Sequence, residues 1–127
     1  MQLYLKTYGC QMNVYDSVRM ERLLGMQGQT TSPDKADVIL FNTCTVRQKA
    51  KHKFLSDLGR LKSIKEKNPD VVIGVGGCVA QEEGEALLRR VAHLDLVFGV
   101  DQIDKLPHLI ETVRKERTRL SVTAFDT

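Results

Sequence analysis

The sequence predicts a three-layer α/β domain, in which an open, mostly parallel sheet of four to five strands carries helices on both faces. Short apolar runs rich in β-branched residues alternate with longer segments whose apolar residues recur at helical spacing. The runs at 38–41 and 71–75 are apolar almost throughout, with no regular alternation of apolar and polar residues. Such runs are typical of parallel strands buried on both faces, and helices must then cover both sides of the sheet.

The strands are predicted from these apolar runs and from the glycine, proline and polar residues that bound them. In chain order they cover 3–8, 38–41, 71–75, 96–98 and a short fifth run at 120–122. The fifth run lies in an otherwise polar tail.

Helices are predicted between the strands. The first begins at Asn13, whose side chain can cap it, and the second carries apolar residues at helical spacing and ends before Pro69. The third covers 81–90, with early acids and late bases that suit the helix dipole. The fourth spans about 103–113, so Pro107 must lie in its first turn.

Length and composition favour one soluble domain. With 127 residues and a formal charge of +3, the chain can form a single core but has too little basic charge to indicate nucleic-acid binding by itself. The start has no charged leader followed by an apolar segment, and no apolar run approaches the roughly 20 residues that span a bilayer. We therefore expect a cytoplasmic, monomeric domain over 1–116 with no membrane contact, followed by a tail or linker over 117–127.

Three cysteines, Cys10, Cys44 and Cys78, each stand just after a predicted strand and just before a predicted helix. Because the carboxyl ends of parallel strands meet at one edge of a sheet, we expect the three thiols to converge there. Helix amino termini and glycine-rich turns at that edge offer backbone N–H groups that lower thiol pKa values and bind anionic sulfur. This setting favours an iron–sulfur cluster. Since a complete 4Fe–4S site takes four cysteines, three would leave one iron with an open position.

Two other interpretations of the cysteines stay open. One is a three-thiolate zinc site, although structural zinc usually has a close Cys-x-x-Cys pair and a fourth ligand, and neither is evident. The other is that they are free buried cysteines, which are common and which spacing alone favours about as strongly as a metal site. The recurrence of the same turn position three times favours the cluster. No Ser-His-Asp or paired-carboxylate grouping is visible in the sequence, so no catalytic residue is assigned.

The cysteine motifs resemble those of the amino-terminal domain of the methylthiotransferase family. They are Gly9-Cys10-Gln11-Met12-Asn13, Asn42-Thr43-Cys44-Thr45-Val46-Arg47 and Gly76-Gly77-Cys78-Val79-Ala80-Gln81. Their order and spacing are similar to the family over nearly the whole chain, including residues 68–70 and 97–99. Gln-Met-Asn after the first cysteine resembles the MiaB-type branch, which modifies tRNA.

The resemblance implies that Cys10, Cys44 and Cys78 hold an auxiliary 4Fe–4S cluster, which supplies or carries the sulfur of a methylthio group. It also implies a second 4Fe–4S cluster in a radical-SAM domain, which cleaves S-adenosylmethionine and activates carbon 2 of an isopentenylated adenosine beside the anticodon. A further RNA-binding domain usually holds the tRNA. Since no cysteine follows Cys78, we expect the radical-SAM domain to lie outside this chain and the chain alone not to perform methylthiolation.

Two other function classes remain beside the transferase domain. One is a stand-alone iron–sulfur or sulfur-relay module that delivers sulfur to a partner enzyme. The other is a flavodoxin-like small-molecule binding domain with incidental cysteines, which would bind no iron. Asn13, Asn42 and Arg47 lie beside the cysteines and are candidates for orienting the cluster or the substrate, although Asn13 fits a helix cap and Arg47 a surface charge equally well.

Overall fold

A single parallel sheet of five strands forms the centre of the chain in a computed structural model. The structure describes residues 2–8, 11–25, 32–43 and 48–122, with the side chains of these residues except at 11–14, 48–52, 78–79, 81–83 and 100. The strands are β1 Leu3–Thr7, β2 Val38–Thr43, β3 Val72–Gly77, β4 Leu96–Phe98 and β5 Leu120–Val122. They are neighbours in chain order, and every neighbouring pair is parallel. The predicted parallel sheet is confirmed.

Helices follow each of the first four strands. Their bounds are α1 Gln11–Leu24, α2 Gln48–Arg60, α3 Lys62–Lys67, α4 Cys78–Arg90 and α5 Leu106–Glu116, with 3₁₀ segments at Pro33–Lys35 and Val100–Lys105. Pro107 lies in the first turn of α5, as predicted, where its missing N–H costs no helical hydrogen bond. Within the described ranges, no helix is long and apolar enough to cross a membrane.

Apolar side chains cover both faces of the sheet. Successive residues of a strand point to opposite faces, so Ile39 and Phe41 join the core on one face and Val38 and Leu40 join the core on the other. The first core is completed by α2, α3 and α4, and the second by α1 and α5. Every residue of β2 and β3 is buried. The three-layer prediction is therefore confirmed.

Two boundaries at the carboxyl edge of the sheet differ from the prediction. The strand predicted to end at residue 41 continues through Asn42 and Thr43, because their buried polar side chains find hydrogen-bond partners and do not have to reach water. The helix predicted to begin at residue 81 begins at Cys78, because Gly77, with φ of 96°, turns the chain from strand to helix in a single residue.

Two helices also differ from the prediction. The prediction that Asn13 caps α1 is wrong, because the helix begins two residues earlier, at Gln11, and Asn13 lies inside its first turn. The second predicted helix is divided into α2 and α3 at the buried residue Leu61. The Leu61 N–H donates to the carbonyl oxygen of Leu58 at 3.1 Å, and this i→i−3 bond tightens the end of α2.

The guanidinium group of Arg119 joins the start of β5 to the carboxyl end of α4. Its Nε donates to the carbonyl oxygen of Leu94 at 2.8 Å, and its Nη2 donates to the carbonyl oxygens of Val91, at 2.7 Å, and Leu88. Carbonyl groups in the last turn of a helix lack partners within that helix, and a cation there also complements the negative end of the helix dipole. One side chain therefore caps α4 and holds the edge strand against it.

We expect Arg119→Ala to lower the free energy of unfolding by about 1–2 kcal/mol, because three carbonyl groups lose a donor. Urea unfolding measures the change. Arg117→Ala is the matched control, since it removes the same charge two residues away. The pair of Arg117 with Asp70, at 3.1 Å, lies on the surface, where such a pair contributes about 0–1 kcal/mol. Equal losses for the two variants would contradict the capping role.

Candidate functional site

The three predicted ligands lie largely beyond the part of the chain that the structure describes. Cys10 and Cys44 are outside the described residues. The backbone of Cys78 forms the first residue of α4, and its side chain is not described. Among the described side chains, no three His, Cys, Asp or Glu residues come together as a metal site. The convergence of the three thiols therefore stays a prediction. The structure bears on it through the described residues that precede and follow the cysteines.

The strand ends that lead to the cysteines are neighbours in the sheet. Thr7 is paired with Asn42, and the next residue, Tyr8, donates its N–H to the carbonyl oxygen of Asn42 at 2.7 Å. Thr43 is paired with Gly77. Neighbouring strands lie about 4.8 Å apart. The strands that precede the three cysteines in the sequence therefore end at adjacent positions on one edge of the sheet.

Strands β2 and β3 are held closely together at their last residues. The Thr43 hydroxyl, which is buried, donates to the carbonyl oxygen of Gly76 at 2.7 Å. A Cβ atom added to Gly77 would lie 2.3 Å from the carbonyl oxygen of Thr43 and 3.0 Å from Oδ1 of Asn42. Since the φ of 96° at Gly77 is also one that residues with a side chain rarely adopt, glycine is required here on two grounds.

A buried polar network links β1, β2 and α1 beside the same edge. The Asn42 Nδ2 donates to the Ser17 hydroxyl at 3.1 Å, and the Ser17 and Thr7 hydroxyls lie 2.6 Å apart, where either can donate. Ser17 and Asn42 are 6% and 0% exposed. Asn42 was predicted as a candidate from its place beside Cys44. Ser17 was not identified from the sequence. The signal that could have found it is its spacing from Met20, because residues three positions apart lie on the same face of a helix and Met20 is buried.

Three helices that follow β1, β2 and β3 begin without acidic residues. The first turns of α1, α2 and α4 contain no Asp or Glu. The sequence prediction had placed early acids at the positive end of the third predicted helix, but the earlier start at Cys78 leaves Glu82 beyond the first turn. The partial positive charge of these helix amino termini is therefore not offset by a carboxylate in the first turn, which favours binding of an anionic group.

The end of β1 is anchored to α2 through the carboxylate of Asp57. The Tyr8 hydroxyl donates to Oδ2 of Asp57 at 2.6 Å, and Lys6 Nζ donates to the same oxygen at 2.9 Å. Burial and the hydrogen bond to Asp57 raise the pKa of Tyr8, so its phenol stays protonated and donates. Burial alone would raise the pKa of Asp57, but the hydrogen bonds from Tyr8 and Lys6 hold it below its usual value.

Comparison with known proteins places the chain in a family. Residues 2–99, a range that includes all three cysteines, match the family described as "Uncharacterized protein family UPF0004". The chain belongs to this family.

Individual relatives carry an enzyme name. The chain is 53% identical over 124 residues to a protein of Chromobacterium violaceum, 55% over 116 residues to one of Bordetella petrii and 49% over 127 residues to one of Hahella chejuensis. Each of the three is named tRNA-2-methylthio-N(6)-dimethylallyladenosine synthase. The predicted resemblance to methylthiotransferases is therefore confirmed. The matches cover 95%, 89% and 98% of this chain but 28%, 24% and 28% of those proteins, so the chain spans about a quarter of their length.

For this family member we expect Gly77→Ala to lower the free energy of unfolding by about 2–4 kcal/mol, because the new methyl group meets Thr43 and the backbone is held in a conformation that disfavours alanine. Gly59→Ala is the control, since a Cβ atom there meets nothing within 4 Å. Gly59 lies inside α2, where alanine should stabilise the helix by about 0.5–1 kcal/mol. Chemical denaturation of both variants gives the comparison. A Gly77→Ala chain as stable as the unchanged chain would contradict the close approach of β2 and β3.

We expect Asp57→Asn to reduce the dependence of stability on acid pH. The pKa of the Asp57 carboxyl group is lower in the folded chain than in the unfolded chain. Its contribution to the free energy of unfolding is therefore fully present above the unfolded pKa of about 3.9 and is lost as the pH falls through the folded pKa. The stability difference between the unchanged chain and the variant should therefore shrink from pH 7 to about pH 3, as measured by urea unfolding. Asp101→Asn, an equal change of charge on an exposed side chain, is the control. A difference that stays constant over this range would contradict the assignment.

Proposed function

We propose that this chain is the auxiliary-cluster domain of a tRNA methylthiotransferase, in which Cys10, Cys44 and Cys78 are the thiolate ligands of a 4Fe–4S cluster. The observation that carries the proposal is the strand register at the carboxyl edge. Thr43 and Gly77, which directly precede two of the cysteines, are paired across β2 and β3, and Thr7 is paired with Asn42 across β1 and β2. In parallel sheets, ligands bind beyond this edge.

The chemistry of the surrounding residues fits such a cluster. Its sulfides and thiolates are negatively charged, and the three helices that begin near these strand ends offer amino-terminal N–H groups with no acidic residue in the first turn. Cys78 is the first residue of α4, a position where the helix dipole favours a thiolate over a thiol. Gly77, directly before it, lets β3 approach the backbone of β2 closely.

Three cysteines are fewer than a complete 4Fe–4S site takes. When bound, the cluster would supply an iron with an open coordination position, at which a sulfur species can be held for transfer. The residues of this chain would bind and orient the cluster, and none of them is assigned a catalytic role.

The length of the relatives supports the presence of further domains in the whole protein. The relatives are more than three times the length of this chain and are named for methylthio modification of a tRNA adenosine. We infer that the whole protein also has a radical-SAM domain, with a second 4Fe–4S cluster and S-adenosylmethionine, and an RNA-binding domain. Its substrate would be tRNA with an isopentenylated adenosine beside the anticodon, modified in the cytoplasm.

Anaerobic reconstitution of the chain with iron and sulfide tests the proposal. We expect about four irons per chain with the absorption of a 4Fe–4S cluster, and no iron in a triple variant with Cys10→Ala, Cys44→Ala and Cys78→Ala, since the sequence has no other cysteine.

Arg117→Ala is the matched control for this experiment, because it changes an exposed side chain near the opposite edge and should bind as much iron as the unchanged chain. No iron in the unchanged chain, or equal iron in the triple variant, would overturn the proposal. A single zinc ion in place of iron would identify the other kind of metal site that three thiolates can form.

A further inference from the structure

We propose that Ser17 is a positioning residue for the cysteine ligands, acting through its hydrogen bonds to Asn42 and Thr7. The inference rests on the cluster proposed above, and it concerns a residue that belongs to none of the cysteine motifs. Ser17 would touch neither the cluster nor a substrate, and its role would be to fix the chain segments from which two of the ligands extend.

The position of Ser17 in the helix is better explained by these contacts than by the helix itself. It lies in the interior of α1, where serine is a poorer helix former than alanine. It is 6% exposed, on the side of the helix that carries the buried Met20. A hydroxyl group in such a place is costly unless it is hydrogen-bonded, and here it has partners at 2.6 and 3.1 Å.

The Ser17 hydroxyl joins three segments that flank the cysteines. Thr7 lies three residues before Cys10, and Ser17 itself lies seven residues after it, so the bond between them ties together the two chain segments on either side of Cys10. Asn42 lies two residues before Cys44, at the buried end of β2. One hydroxyl group therefore fixes the approach to two of the three proposed ligands, relative to each other.

Such an arrangement limits how far the two ligands can separate when no metal is bound. A ligand set that is already in place loses little conformational entropy on binding, whereas loosened segments must be ordered again each time. Groups that hydrogen-bond a metal ligand directly typically contribute about 10–100-fold in metal affinity, and Ser17, which acts through the neighbouring chain segments, is expected at the lower end of that range. The third ligand, Cys78, would depend instead on the contact of Thr43 with Gly76 and Gly77.

Iron retention tests the proposal on the reconstituted chain. We expect Ser17→Ala to lose iron to a chelator about tenfold faster than the unchanged chain, and to shift the reduction potential or the electron paramagnetic resonance signal of the reduced cluster. Ser17→Thr keeps a hydroxyl group and should restore slow loss.

Asp95→Asn controls for general destabilisation. Asp95 accepts hydrogen bonds from Lys65 at 2.8 Å and from the N–H of Ile73 at 2.9 Å, near the opposite edge of the sheet. This variant should unfold at a lower temperature yet lose iron at the unchanged rate. If Ser17→Ala does not fold, Thr7→Val replaces it in the test and should also lose iron faster than the unchanged chain. It removes one hydrogen-bond partner of Ser17 while keeping a β-branched residue in β1.

The outcomes separate the two proposals. Iron held equally well by the unchanged chain, Ser17→Ala and Thr7→Val would overturn the role of Ser17 and leave the cluster proposal intact. Equal acceleration of iron loss in Asp95→Asn would also overturn it, since the effect would then follow stability alone. No iron in the unchanged chain would overturn the proposed function and the role of Ser17 with it.

Discussion

The close backbone approach between Thr43 and Gly77 sets the geometry of the whole carboxyl edge. A single added carbon at Gly77 would lie 2.3 Å from the carbonyl oxygen of Thr43, so β2 and β3 stay in contact up to the residues that directly precede Cys44 and Cys78. This contact requires β2 to continue through two polar residues inside the core. Buried polar groups need hydrogen-bond partners, and the partners of Asn42 and Thr43 include Ser17 in α1 and the backbone of β3. A local constraint between two strands thus extends to a helix on one face.

Polar side chains link the helices to the sheet at both of its edges. Near the amino edge, Lys65 pairs with Asp95, and Arg119 caps the end of α4. Near the carboxyl edge, neutral hydroxyl and amide groups link β1, β2 and α1, and the Lys6–Asp57 pair anchors the end of β1 to α2. The first turns of α1, α2 and α4 contain no acid. Because no carboxylate lies in these first turns, the positive helix ends at the carboxyl edge stay available to an anionic group.

The sequence predicted those features that depend on local residue type. Apolar, β-branched runs such as 38–41 and 71–75 identified the central strands, and the place of Cys10, Cys44 and Cys78 after such runs indicated a shared edge. It did not predict that β2 continues through Asn42 and Thr43, because polar residues normally mark the end of a buried strand. The start of α4 at Cys78 was missed as well, since the turn at Gly77 follows from contact with another strand. Ser17 was missed for the same reason, because its partners lie 10 and 25 residues away in sequence.

The fourth strand of the sheet ends differently from the three strands that precede the cysteines. β4 is the next strand along the edge, and Phe98 at its end is paired with Gly76 of β3. A Cβ atom at Gly76 would lie 2.3 Å from the Phe98 ring, which is fully buried, so an aromatic side chain covers this part of β3 on one face. The residue after Phe98 is glycine, and no thiol follows in the sequence. Cysteines therefore follow three adjacent strands and not the fourth, so the proposed cluster would have one iron without a cysteine ligand from this chain.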